Sequence, residues 1–84
     1  MNELDVASLY DLGGDQHRAA LAYVTEAFAE AILAGIESDS FAHAALCAAL
    51  RELVATYGED SVAAFAETLS ARLRAGEFTT GLRH

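Results

Sequence analysis

Asp39, His43 and Cys47 stand at i, i+4 and i+8 of the stretch DSFAHAALC. On a helix that spacing lines a single ridge. A carboxylate, an imidazole and a thiolate are all ligand types that zinc accepts, and His17 is a candidate fourth. One straight helix supplies two ligands to a tetrahedral ion easily and three with difficulty. No paired ligands stand at zinc-site spacing elsewhere in the chain. The plainer reading is that Asp39 caps a helix, His43 sits at the edge of an apolar stripe and Cys47 packs as a small hydrophobe.

Two other groupings have the residue types for acid–base or nucleophilic work. Glu26 and Glu30 are like charges at i, i+4, a mildly destabilising pair on an isolated helix. As carboxylate ligands of a di-metal bundle they would need a Glu-x-x-His motif on other helices, and the chain has none. They read as a solvated face, with Arg51, Arg72 or Arg74 as possible neighbours. Ser40 and His43 have the types of a nucleophile and its base. A working triad also needs an orienting acid and an oxyanion hole in a cleft. They read as first-turn residues instead. All five basic residues are arginine, so lysine Schiff-base chemistry is excluded. The expectation is a protein with no catalytic residue, no cofactor and no metal.

The Asp39-Ser40-Phe41 triplet resembles the Asp-Ser-Leu attachment site of acyl carrier proteins, which are also short, acidic and helical. The resemblance covers three residues, with Phe41 in place of Leu, and implies phosphopantetheine on Ser40 at the start of a second helix. That family has a long loop between its first two helices, whereas Gly35 to Ser38 allows only a tight connection here. An acyl-carrier-like or metal-binding protein using Ser40 or Asp39, His43 and Cys47 is therefore the alternative reading, not the leading one.

Glycines divide the chain into segments of helical length. Asp15 has the chemistry of an N-cap for a helix over 16–34, with Leu21, Val24, Phe28 and Ile32 on one side and Gly35 as its stop. The next helix spans about 39–57. Leu46, Leu50, Leu53, Val54 and Tyr57 make its main stripe, while Phe41, Ala44, Ala48 and Ala55 occupy the other side. A third helix runs over 61–75 behind Asp60, with Val62, Phe65, Leu69 and Leu73 in line, and Gly76 closes it. Residues 2–11 have the makings of one or two further helical turns, which are too short to stand without docking. No alternating run of strand length is present. The fold class is all-α: a small three-helix bundle with a short extra N-terminal helical segment. It forms a single domain over 1–84, made of the segment 1–14, a bundle core 15–78 and a tail 79–84.

The net charge of −8, from five arginines against thirteen acids, leaves no basic patch for nucleic acid or an anionic membrane surface. A helix-turn-helix over 46–75 would present acids and alanines to a phosphate backbone. A DNA-mimicking inhibitor would need its acids on one face, and here they are scattered over caps and loops. One cysteine forms no internal disulfide, and MNELDVASLY lacks the basic start and apolar run of a signal peptide. These features lead to a cytoplasmic protein, and the alanine- and arginine-rich, lysine-free composition resembles that of a GC-rich bacterium.

An apolar fraction of 54% argues against disorder. Much of that fraction is alanine, so the core of 84 residues is thin. A helix with two dry sides and a thin core points to a homodimer that works by binding protein. Phe41, Ala44, Ala48 and Ala55 are expected between subunits or under the N-terminal segment. Tyr23 and Leu33, away from the main stripe of their helix, are the candidates for an outer contact.

Overall fold

The computed structural model describes residues 6–10 and 13–80. They are all-helical, with no strand among them. A 3-10 turn, Val6–Tyr10, precedes three helices: α1 (Asp15–Leu33), α2 (Ser38–Tyr57) and α3 (Glu59–Arg74). Leu4, Leu12 and the last four residues of the expected tail lie outside the described residues.

Each helix begins slightly earlier than its acids suggest. Asp15 is not the N-cap of α1; Gly14, in extended backbone, holds that position. Asp15 is in the first turn and pairs with Arg18. Glu37 rather than Asp39 caps α2, and Gly58 rather than Asp60 caps α3, in each case without a side-chain cap hydrogen bond. The physical reason is that a carboxylate anywhere in the first turn is favoured by the helix dipole. An acid therefore marks a helix start without specifying the cap residue.

The helix stops follow their glycines closely. At the end of α1 the Ile36 N–H donates to the Ala31 carbonyl and the Gly35 N–H to the Ile32 carbonyl, both at 3.0 Å. This is a Schellman cap, with Gly35 at φ 91°. Gly58 alone joins α2 to α3. Its φ of 87° and ψ of 162° lie in a region that is essentially closed to residues with a Cβ.

The middle helix is the spine of the molecule. α1 and α3 both pack on α2, and the N-terminal turn packs on α3. Phe41 and Ala45 are half-buried on one side of α2, while Leu50, Val54 and Tyr57 are half-buried on the opposite side. Phe41 meets Phe28 of α1 edge to face, with ring centroids 4.7 Å apart. This accounts for the two dry sides of α2: its first half is packed by α1, and its second half adjoins α3 at the Gly58 hinge.

The core is small. Among the described residues only Leu9, Ala31 and Val62 are buried, and no large side chain is fully covered. Leu21, Val24 and Ile32, read from the sequence as core, are about half exposed, and so are Leu46 and Leu73. Periodicity identified these residues as apolar stripes correctly. The stripes stay open because α1 and α3 do not close on each other.

Candidate functional site

The ridge of α2 brings together two of its three candidate ligands. His43 Nδ1 and Cys47 Sγ lie 3.9 Å apart, one turn from each other. His43 and Asp39 are exposed and Cys47 is half-buried. Among the described residues no group of three or more His, Cys, Asp or Glu side chains converges as a metal site would require. Asp39, Ser40 and His43 border a shallow, open depression at the start of α2. Nothing encloses Ser40 there, and the connection from α1 is the tight turn Ala34–Glu37. Glu26 and Glu30 are both exposed on α1.

The side chains proposed from sequence as contacts separate into three places. Phe41 is half-buried, against Phe28 of its own chain. Ala44, Ala48 and Ala55 are exposed along α2. Tyr23 and Leu33 stand out from α1, with Leu33 88% exposed. These six residues form no continuous surface on one helix face.

A more enclosed concavity lies elsewhere, between α1 and α3. It has a volume of about 540 Å³, and its apolar walls are Leu21 from α1, Phe65 and Leu69 from α3, and Phe78 from the segment after α3. His17, Arg72 and Glu77 complete the lining. Phe65 is held from behind by Tyr10 of the N-terminal turn, edge to face at 5.3 Å. Leu9 of that turn is buried. The sequence reading had Leu21, Phe65 and Leu69 on the apolar stripes of the bundle helices, and it missed that two stripes facing each other across a gap make a cleft.

One end of the cleft is built by the C-cap of α3. The Glu77 N–H donates to the Arg72 carbonyl and the Gly76 N–H to the Leu73 carbonyl, both at 3.1 Å. The two side chains that such a cap brings together are commonly apolar. Here they are Arg72 and Glu77, joined by two parallel hydrogen bonds of 2.8 and 3.0 Å from the guanidinium to the carboxylate. The hydrogen bonds from Arg72 hold the Glu77 carboxyl below its usual range, with burial opposing and the opposite charge reinforcing. The same hydrogen bonds raise Arg72. The Arg72 guanidinium also lies 5.0 Å from the centre of the Phe78 ring, close enough for a cation–π contact. Phe78 is thereby positioned at the mouth of the cleft, half exposed. The five-residue spacing of Arg72 and Glu77 across Gly76 was the sequence signal that could have found this pair.

The cleft offers shape and apolar surface and little chemistry. Its charged side chains, Arg72 and Glu77, already satisfy each other, and no helix is long and apolar enough to cross a membrane among the described residues. Comparisons with protein-family models, with curated proteins and with solved structures find no match for this chain.

Proposed function

We propose that this protein acts by binding protein rather than by catalysis, and that it does so as a homodimer in the bacterial cytoplasm. The observation that carries this reading is the imbalance between covered and uncovered apolar surface. Among the described residues no large side chain is fully buried, while Leu21, Ile32, Leu46 and Leu73 are each more than half exposed. An isolated protomer therefore forgoes much of the hydrophobic stabilisation that its sequence carries. Large exposed apolar patches on a small domain mark an interaction surface.

The charge is compatible with this reading. Like charges on two copies repel, but the acids Glu26, Glu30 and Glu67 are exposed and take no part in lining the α1–α3 cleft. Association through apolar faces leaves those carboxylates in water.

Light scattering across a size-exclusion peak, over a wide range of loading concentrations, tests the proposal. The expected result is twice the chain mass of 8.9 kDa, persisting on dilution. A folded species at the chain mass throughout rejects self-association.

A further inference from the structure

We infer that the N-terminal turn Val6–Tyr10 is a latch: docked, it fixes Phe65 of α3 as a wall of the α1–α3 cleft, and it releases as a unit while the three helices stay folded. The latch works within one chain, whether or not that chain associates.

Phe65 couples the turn to the cleft. Its ring takes the edge-to-face contact of Tyr10, with centroids 5.3 Å apart and an interplanar angle of 81°. The same half-buried side chain lines the cleft together with Leu21 and Leu69. Tyr10 itself is outside that lining. The turn therefore acts on the cleft through the α3 side chain it holds. An aromatic pair of this geometry adds stabilisation beyond the area it buries, so losing Tyr10 removes a restraint on the Phe65 ring.

The attachment of the turn is narrow. Among its described side chains Leu9 alone is buried, whereas Val6 and Tyr10 are 45% and 46% exposed. Among the described residues no hydrogen bond or ion pair joins the turn to α3. One leucine and one ring pair thus stand against the entropy of ordering five residues. A 3-10 turn of this length does not keep its shape in water without docking. Undocking and unfolding of the turn are accordingly one event.

The helices are held by contacts of their own. α1 begins at Gly14, whose carbonyl accepts the Arg18 N–H at 3.1 Å. It is joined to α2 by the Phe28–Phe41 ring pair, and α3 is tied to α2 at Gly58. Gly13, between the turn and α1, is exposed, and a Cβ there would meet no atom within 4 Å. Segments held by few buried contacts open at the low end of a protein's range of local stabilities.

The first test is a urea titration of the wild-type chain at one protomer concentration. The Leu9 methyl shifts and the NOE between the Tyr10 and Phe65 rings report the latch, and circular dichroism reports the helices. The latch signals are expected to be lost at urea concentrations that leave the helicity intact. Coincident transitions overturn the inference, because the turn then belongs to a single cooperative core. A Tyr10–Phe65 NOE that is absent without urea overturns it as well. The coupling is tested by Leu9→Asp in the full chain. This substitution is expected to abolish the Tyr10–Phe65 NOE and to shift the Leu21 methyl signals across the cleft. Helicity and the Phe28–Phe41 NOE should be unchanged. Unmoved Leu21 methyls after loss of the Tyr10–Phe65 NOE would show that the turn does not act on the cleft. Loss of helicity in Leu9→Asp would show that the turn is integral to the fold and is no latch.

Discussion

α1 and α3 are the two arms of α2, and they are packed to very different degrees. Along α3 the covered positions run from Ser61 and Val62 through Phe65 and Leu69 to Arg72, nearly the whole helix. Along α1 only Phe28 is half-buried and only Ala31 is buried; the other positions are half exposed or more open. The two helices have similar apolar stripes, so composition does not explain the difference. Their connections and neighbours do. Gly58 alone ties α3 to α2, and the N-terminal turn packs on α3 through Leu9 and Tyr10. α1 is joined through the four-residue turn Ala34–Glu37 and is packed by α2 without that second neighbour. The longer buried stripe is the one on which two other elements converge.

The sharpest way to break this comparison is one substitution made in both arms. Val62, 4% exposed, is the most deeply buried side chain described, whereas Val24 is 46% exposed. Val62→Ala is expected to cost about 2–3 kcal/mol, from lost transfer energy plus the cavity left behind. Val24→Ala should cost less than about 1 kcal/mol, because half its surface is already in water. Urea unfolding at one fixed protomer concentration measures both, since a dimer couples stability to concentration. Equal costs would show that the arms are equally packed in solution, and a Val24 cost that grows with protomer concentration would show that association covers this face of α1.

The hinge that makes the difference can be strained directly. An added Cβ at Gly58 meets no atom within 4 Å, so a substitution there acts through the backbone alone. Gly58→Ala is expected to destabilise by about 1–2 kcal/mol, the strain of placing a Cβ residue in this region of φ and ψ. The thermal midpoint measures it, and a variant as stable as wild type would mean that the single-residue junction relaxes freely.

The smallest expected effect lies at the far end of α3. The hydrogen bonds from Arg72 lower the Glu77 carboxyl. The sign follows from that direction. The pair's contribution is fully present above the unfolded carboxylate value of about 4.3, and it is lost as pH falls through the lower folded value. A carbon-13 titration of the Glu77 carboxyl should show a midpoint below that reference, returning to it in Arg72→Gln. The change reaches the cleft through Phe78, so loosening the cap in acid should broaden the Phe78 ring signals before the Phe28 signals.

Several features of the chain were legible one helical turn at a time. The positive-φ stops at Gly35, Gly58 and Gly76 follow from glycine's lack of a Cβ and from the apolar periods that end beside them. The starts were legible only approximately, because an acid is favoured throughout the first turn and the caps themselves are Gly14, Glu37 and Gly58. The candidate ligands illustrate the same limit. Spacing on one helix was enough to place His43 beside Cys47, whereas whether anything else converges on them depends on distant segments.

The sequence by itself determined an all-helical chain, its three stops, its acidic surface and the exclusion of lysine chemistry. Each of these depends on residue type or on neighbours within about one turn. Only the tertiary structure decided which stripes are covered. Leu21 and Val62 are both apolar residues on helix stripes, yet one is more than half exposed and the other is buried. The difference arises from how far apart α1 and α3 stand on α2. No local pattern encodes that separation, and the cleft between them exists because of it.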